Sequence, residues 1–190
     1  MRLCTIVAIL CLAVPSSATA AATLLIPYFE VACESVVDLQ SEDPPGCVAD
    51  LLRGGSSPVS CTYRVESIGQ GQRLGQAGIV EDCEVHGAPV HDPAAGFTVH
   101  KVGCAVELIA ADGSKITGRS IGDLLVLDEG RGQQTSSFIQ LGGTGRFSSG
   151  LGGGTSQRIM VSDTDPAEPS TTPSTYSFYG RYTRTRNSSR

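Results

Sequence analysis

Apolar and polar residues alternate along much of this chain, with the period of two that a half-buried β-strand requires. Two segments carry this alternation over their full length. In residues 76–86, the residues on one face are Ile79, Glu81, Cys83 and Val85. In residues 97–110, the corresponding set is Cys104, Val106, Leu108 and Ala110. No long window shows an apolar period of 3.6 flanked by helix caps, so the pattern predicts an all-β protein.

About eight or nine strands are predicted. They lie at residues 23–32, 61–68, 76–86, 97–110, 115–121, 124–128, 134–141, 157–162 and 176–182. Most are joined by short turns, and Asp112-Gly113 is the strongest hairpin signal because glycine accepts the positive φ of a tight turn. Strands joined in this way usually pair as antiparallel neighbours. Closure removes the unpaired sheet edges, so we expect a single antiparallel barrel of about eight strands.

Residues 33–60 interrupt the strand pattern. They are rich in turn-forming residues and predict a loop-rich insertion with one helical turn near residues 48–52. Pro27 cannot donate a ladder hydrogen bond and is expected at an edge or a break in the first strand. Residues 163–175 predict a surface loop, and residues 183–190 predict a flexible tail.

The first twenty residues have the composition of an export signal. Arg2 precedes an apolar run at residues 3–14, and Ala18-Thr19-Ala20 fits the small-x-small rule for cleavage. The run is too short to span a bilayer, and no second apolar run follows it. We therefore predict a signal peptide at 1–20, one domain at 21–190, no transmembrane segment, and a secreted or periplasmic location.

The charge balance argues against nucleic acid as a partner. The chain has 19 acidic and 14 basic residues and a formal net charge of −5, whereas nucleic-acid binding depends on neutralising phosphates. The one basic cluster lies near the C-terminus, where we expect a solvated tail, and comprises Arg181, Arg184, Arg186 and Arg190.

A glycine-rich segment, Gly142-Gly143-Thr144-Gly145-Arg146-Phe147, follows a strand-like run and precedes Gly152. A phosphate-binding loop requires Gly-Lys-[Ser/Thr] leading into a helix. Here Arg146-Phe147 follows the glycines, and the residues beyond them are strand-like. We therefore expect no nucleotide and no cofactor, and interpret the glycines as a bend or bulge at a barrel corner.

Five cysteines remain after removal of the signal peptide, and exported chains usually oxidise their thiols. Cys83 and Cys104 lie near the middle of consecutive strands, and an antiparallel pair places such residues side by side. We predict a disulfide between them. For the other three, both Cys33–Cys47 and Cys47–Cys61 are open pairings, and one thiol is left over.

Two kinds of reactive site compete with these structural interpretations. Cys83-x-x-His86, with His91, His100 and Cys104, has ligand types that suit zinc, but export favours the disulfide, so no metal is predicted. The chain has no Gly-x-Ser-x-Gly nucleophile elbow.

Glu107 and Arg119 flank the Asp112-Gly113 turn and are interpreted as a solvated cross-strand pair, the alternative being a polar patch inside the barrel. Catalytic and ligand-binding residues are not assigned from the sequence.

The order of these features resembles the barrel shared by allene oxide cyclases and plant dirigent proteins, with their secreted bacterial relatives. Residues 71–75 precede the strand that ends near Cys83, and residues 112–118 are similar to the family's "dG-x-I-x-x-G" hairpin. Residues 142–147 resemble its GGTG-[KR]-[FY] signature, so the proposed structural-motif residues are Gly142, Gly143, Gly145, Phe147 and Gly152. The resemblance covers roughly residues 68–182. It implies an eight-stranded barrel, often trimeric, with a central apolar cavity.

Three functions are compatible with the sequence. The first is a secreted barrel that binds a small apolar ligand without catalysis, or that serves a structural role in the envelope or outside the cell. The second is a dirigent- or cyclase-like isomerase acting on an unsaturated lipid or phenolic. In the third, residues 33–60 form the contact surface of an adhesion protein. The activity is expected inside the barrel, away from the glycine segment.

Overall fold

A computed structural model describes residues 23–53, 60–71, 74–92, 94, 96–127, 130–148, 150–161 and 172–183. Within strands, the side chains of residues 23–30, 39–40 and 179–183 are not described. The predicted signal peptide, most of the predicted loop at 163–175 and nearly all of the predicted tail lie outside the described residues.

Eight strands account for most of the described chain. They are β1 (Thr23–Asp43), β2 (Cys61–Gly71), β3 (Gly75–Asp92), β4 (Phe97–Ile109), β5 (Lys115–Val126), β6 (Arg131–Gly143), β7 (Gly150–Val161) and β8 (Thr172–Thr183). One short helix, α1 (Cys47–Leu52), lies between β1 and β2, and a 3-10 turn (Gly145–Phe147) follows β6. The predicted all-β class is confirmed.

The strands form one closed antiparallel barrel in sequence order, with β8 paired to β1. The sheet is strongly staggered. Partners followed once around the barrel from Cys61 lead back to β2 at Gly71, ten residues further along the same strand. An eight-stranded barrel has an interior just wide enough for side chains or one small ligand. The residues that line this interior are therefore the first candidates for a functional site.

Strand β1 is longer than the sequence pattern predicts. It continues through Asp43, so residues 33–43 belong to the barrel wall, and the predicted insertion at 33–60 was too long. The register with β8 shifts between Ile26 and Phe29, which places the predicted break at Pro27. The predicted helical turn is confirmed as α1.

Other strand boundaries also differ from the predictions, including that of β8, which begins at Thr172 within the predicted surface loop at 163–175. Strand β3 reaches Asp92 through a register shift between His86 and Val90, where a loop was predicted. The predicted strands at 115–121 and 124–128 are one strand, β5, because Gly122 continues the ladder opposite Ser136. Strand β7 begins at Gly150, earlier than the predicted start at residue 157. The glycines at its start suggested a turn, but glycine also occurs in strands where a neighbouring backbone approaches closely.

Helix α1 closes one end of the barrel. Its residues Val48, Leu51 and Leu52 are buried in the core, and the disulfide Cys47–Cys61 fixes the helix to the start of β2. A Cβ added to Gly132 at the start of β6 would lie 2.5 Å from a methyl carbon of Leu52. Because Gly132 has no side chain, Leu52 of the helix can pack directly against the start of β6.

The glycine segment closes the opposite end, where Phe147 and Leu74 are buried. Gly145 has φ +58°, and a Cβ there would overlap the Ser114 side chain, so glycine is required on both counts. Thr144 N–H donates to Lys115 C=O (2.9 Å), and Arg146 forms an ion pair with Asp112 (3.3 Å). The two segments that carry the family resemblance thus contact each other, and the register between β5 and β6 shifts between Thr117 and Gly118, where β6 enters the glycine segment.

Candidate functional site inside the barrel

The middle of the barrel interior is lined by polar side chains, although the inward-facing positions of a barrel strand are usually apolar. Six serines are buried on six different strands, and they are Ser35, Ser67, Ser120, Ser136, Ser156 and Ser174. Larger polar groups are buried with them: Tyr63, Glu81, His100, Gln134, Arg158 and Tyr176. Polar side chains buried in a closed barrel need hydrogen-bond partners inside it, because they are shielded from bulk water. The candidate site is built from these groups.

Glu81 on β3 and Arg158 on β7 form an ion pair within the barrel through Glu81 Oε2 and Arg158 Nη2. Their side chains are 1% and 2% exposed, so both charges are removed from bulk water. Removing a charge from water costs several kcal/mol, and pairing offsets that cost when the geometry is good. The pair is therefore the electrostatic centre of the interior.

A chain of hydroxyl groups extends from this carboxylate. Tyr176 Oη donates to Glu81 Oε2 at 2.9 Å, and the same hydroxyl lies 3.1 Å from Ser67 Oγ. Ser35 Oγ lies 2.6 Å from Ser67 Oγ and 2.5 Å from Ser174 Oγ. These contacts connect strands β1, β2, β3 and β8, and they hold the carboxylate in one orientation.

A second polar cluster lies around Gln134 on β6. Tyr63 Oη donates to Gln134 Oε1 at 3.0 Å, and Gln134 Nε2 lies 3.4 Å from Ser136 Oγ and 3.8 Å from Cys104 Sγ. Burial raises the pKa of Tyr63 to about 12, and the nearby positive charge of Arg158 opposes this effect. Tyr63 is therefore a neutral hydrogen-bond donor at physiological pH.

Several buried polar atoms have no hydrogen-bond partner within the described part of the chain. They are Glu42 Oε1, His100 Nδ1, Ser120 Oγ and both terminal nitrogens of Arg158, of which Nη2 has only its ion-pair contact with Glu81. His100 is also desolvated, and burial lowers the pKa of its imidazole below the ordinary value of 6.5. Buried polar groups are seldom left without partners, so these atoms mark places where a further molecule would be stabilised.

The predicted disulfide between Cys83 and Cys104 is present, and the two residues are direct partners across β3 and β4. Cys47 pairs with Cys61, so the alternative pairing Cys33–Cys47 is wrong. Cys33 is the leftover thiol. It is buried, and desolvation raises its pKa to about 11, which makes it a poor nucleophile.

The zinc-type residues do not come together. Cys83 and Cys104 are used by the disulfide, His86 and His91 are exposed on the outer surface, and His100 is buried on the inner face. Among the residues that the structure describes, no group of three or more His, Cys, Asp or Glu side chains is placed to hold a metal.

Glu107 and Arg119 also do not form the predicted pair. Glu107 lies opposite Thr117 and accepts a hydrogen bond from Lys115 Nζ at 2.8 Å, whereas Arg119 lies opposite Ala105. Lys115 and Arg119 are both diagonal neighbours of Glu107 on β5, and the carboxylate contacts Lys115. Both residues are outside the candidate site.

A shallow groove of about 860 Å³ runs across the outer surface of strands β3 to β8. Its lining includes His86 and an exposed ion pair in which Lys101 Nζ lies 2.5 Å from Asp123 Oδ1, with serine and threonine side chains further along. The lining also includes the buried residues Val102, Ser136 and Ser156, and it does not include Glu81 or Arg158. The groove has no buried charge, so the interior remains the better candidate for chemistry.

The sequence pattern identified only part of the site. It placed Glu81 on the same strand face as Ile79, Cys83 and Val85, which was a signal of a buried carboxylate. It gave no such signal for Arg158, because both faces of that strand carry apolar residues, including Ile159 and Met160. A pairing between β3 and β7 depends on ring closure, which local alternation does not encode.

These observations define the class of the protein as a closed eight-stranded antiparallel β-barrel with a charged and hydroxyl-rich interior. Comparisons with models of protein families, with curated proteins and with solved structures found no match. The resemblance to the allene oxide cyclase and dirigent barrel therefore remains a prediction. Within the described residues, no helix has the length and apolar character needed to cross a membrane.

Proposed function

We propose that this protein is an exported barrel that binds a small, mostly apolar ligand in its interior and does not itself catalyse a reaction. The observation that carries the proposal is the buried Glu81–Arg158 pair, which has an unpartnered donor at Arg158 Nη1. A ligand site typically combines an apolar lining with a few fixed polar groups. The two disulfides support export, because such bonds persist in oxidising compartments.

The residues around the pair favour a ligand with an apolar body. On β3, Glu81 lies between the inward-facing residues Ile79 and Cys83, and on β7 the next inward residue after Arg158 is Met160. Phe138 and Phe178 are buried on neighbouring parts of the wall, with ring centroids 5.7 Å apart. The serines that share the interior are small, which leaves more room beside the pair than larger side chains would.

Native mass spectrometry of protein purified from its own host tests the proposal. We expect a species heavier than the polypeptide that loses a small molecule on collisional activation. Protein denatured, extracted with solvent and refolded with its disulfides intact is the control, and it is expected to lack the added mass. A host-purified protein of bare polypeptide mass, with a filled interior in an experimental structure, would contradict ligand binding.

A dirigent- or cyclase-like isomerase is the second candidate. The contact that favours it is the 2.9 Å hydrogen bond between Tyr176 Oη and Glu81 Oε2, since a carboxylate with a hydroxyl partner is suited to moving a proton. Turnover of an unsaturated fatty-acid epoxide or a phenolic radical by the protein, abolished by Glu81→Gln in a folded variant, would establish it. Identical product ratios with and without the protein would exclude these substrates.

A contact role for residues 33–60 is the least favoured of the three functions. The side chains of Val48, Leu51 and Leu52 are buried against the barrel and are unavailable to a partner. A structural role for the whole protein stays open to the test above, because a structural barrel would carry no ligand.

We also propose that the barrel forms a homo-oligomer, for which the sequence resemblance suggests a trimer. Six exposed apolar side chains lie on the outer face of neighbouring strands β5 to β7: Ile121, Ile139, Leu141, Leu151, Ile159 and Val161. Several large exposed apolar side chains on neighbouring strands favour an interaction surface there. Light scattering coupled to gel filtration is expected to give a multiple of the chain mass. Ile139→Lys with Leu151→Lys is expected to give the monomer, and a monomeric native protein would contradict the proposal.

A further inference from the structure

The chemistry of the interior specifies the polar group of the ligand, given that the proposed function is correct. We propose that the ligand carries a neutral carbonyl oxygen, as in a ketone, aldehyde or ester, and that Arg158 binds this oxygen through Nη1. The side chain of Arg158 is 2% exposed and its Nη1 has no hydrogen-bond partner among the described residues. A guanidinium group offers five N–H donors, and the contact with Glu81 leaves most of them for another acceptor.

The unpartnered donor is held in place by the fold. Arg158 extends from β7 toward β3, four strands away around the ring of eight, and the pair with Glu81 fixes the direction of its guanidinium group. Glu81 is fixed in turn by Tyr176, whose hydroxyl also contacts Ser67. A donor whose position is set before binding loses little conformational freedom when an acceptor arrives.

The charge balance favours a neutral acceptor over a carboxylate. Glu81 already compensates Arg158, and the other charged residue in the described core is Glu42, which has a negative charge when ionised. A carboxylate ligand would therefore add a buried negative charge without a second cation to balance it, and such burial is costly. A carbonyl oxygen accepts a hydrogen bond from the guanidinium group without changing the net charge.

Two buried phenylalanines, further along the barrel from Arg158, favour an apolar group for the remainder of the ligand. Phe138 lies two residues beyond Ser136 on the inner face of β6, and Phe178 lies two residues beyond Tyr176 on β8. The two phenylalanine rings meet edge to face, at 77°. Aromatic faces and edges of this kind favour hydrocarbon, so the geometry selects a molecule with one carbonyl group and an aliphatic or unsaturated body.

Three probes of equal chain length test the inference: 2-heptanone, heptanoate and n-heptane. Each is offered to the full-length exported protein after removal of any host ligand, and binding is measured by native mass spectrometry and by ligand-observed NMR. We expect 2-heptanone to bind at least roughly tenfold more tightly than either other probe, the factor that a hydrogen bond from a charged donor contributes.

A double variant separates recognition from folding. Arg158→Met alone leaves Glu81 unpaired, so Glu81→Gln is combined with it, and near-ultraviolet circular dichroism checks that the barrel is intact. In this variant we expect 2-heptanone to bind no more tightly than n-heptane. Arg119→Met is the matched control, because Arg119 is exposed on the outer face of β5, and it is expected to keep the native preference.

The outcomes distinguish this inference from the proposed function. Equal binding of 2-heptanone and n-heptane to the native protein would overturn carbonyl recognition and leave the apolar site standing. Tightest binding of heptanoate would overturn the choice of a neutral ligand. Binding of none of the three, with a water molecule on Arg158 Nη1 in an experimental structure, would overturn both the inference and the proposed function.

Discussion

Glu81 and Arg158 meet inside the barrel from strands four positions apart in a ring of eight, and each side chain is almost completely buried. This pair connects opposite walls of the molecule, so the fold and the candidate site depend on the same contact. Removal of one partner leaves an uncompensated buried charge, whereas removal of both leaves none.

The first prediction concerns this asymmetry. Glu81→Gln is expected to lower the free energy of unfolding by about 3–5 kcal/mol, because Arg158 then remains buried without its counter-ion. Glu81→Gln with Arg158→Met is expected to be more stable than Glu81→Gln alone. Urea denaturation followed by circular dichroism measures both variants.

The control for this experiment is the exposed pair Lys101–Asp123, whose side chains are 68% and 45% exposed. Lys101→Gln is expected to change stability by roughly 1 kcal/mol or less, since solvent screens such pairs. If Glu81→Gln were as mild as Lys101→Gln, the buried pair would not be the electrostatic centre that we describe.

The disulfide Cys47–Cys61 is predicted to hold the helix that closes one end of the barrel. The two cysteines are 14 residues apart, and a crosslink of that span stabilises by about 3 kcal/mol in the chain-entropy model. Cys47→Ala with Cys61→Ala is expected to lose about that amount and to expose α1 to proteolysis before the barrel unfolds. Cys83→Ala with Cys104→Ala is expected to lose a similar amount without early cleavage at α1.

Limited proteolysis with mass mapping of the first cleavage site distinguishes these two variants. A first cut elsewhere in the Cys47→Ala, Cys61→Ala variant would show that the helix is held by packing of Leu51 and Leu52 alone.

The barrel class followed from sequence because the alternation that defines a strand is local. The turn at Asp112-Gly113 and the disulfide Cys83–Cys104 also depend on neighbours in the chain, and both were predicted correctly. Arg158 was missed because its burial depends on the closure of β8 onto β1, a contact between the two ends of the chain. The predicted Glu107–Arg119 pair failed because Glu107 has two basic diagonal neighbours, Lys115 and Arg119, and its carboxylate contacts Lys115.

Glycine is predicted to be required at position 145 for two separate reasons. Gly145→Ala would pay both the left-handed backbone cost at φ +58° and an overlap with Ser114, whereas Gly113→Ala, at φ +78° with open space around it, carries the backbone cost alone. That backbone cost is roughly 1–2 kcal/mol. In thermal denaturation, we expect Gly145→Ala to have a lower melting temperature than Gly113→Ala. If the two variants lost the same amount of stability, the Ser114 side chain would be able to move away from the added methyl group at no energetic cost.

His100 is predicted to make stability depend on pH on the acid side. Burial lowers the pKa of its imidazole in the folded state below 6.5, so the unfolded chain binds a proton more readily. The stability gained by burying the neutral ring is complete above that value and is lost as pH falls toward the folded-state pKa. His100→Leu is expected to flatten the decline in unfolding free energy between about pH 7 and about pH 5.

Urea denaturation across this pH range checks the slope, with His86→Leu as the matched control because His86 is exposed. We expect the control to retain the decline of the native protein. An unchanged slope in His100→Leu would assign the acid sensitivity to other groups.

The most direct test of ligand binding at the Glu81–Arg158 pair is a high-resolution experimental structure of protein purified from its host without denaturation. We predict continuous density for a small molecule inside the barrel, with an oxygen atom within hydrogen-bond distance of Arg158 Nη1 and an apolar body toward Phe138 and Phe178. An interior filled by side chains and isolated water molecules around Arg158 would contradict the account.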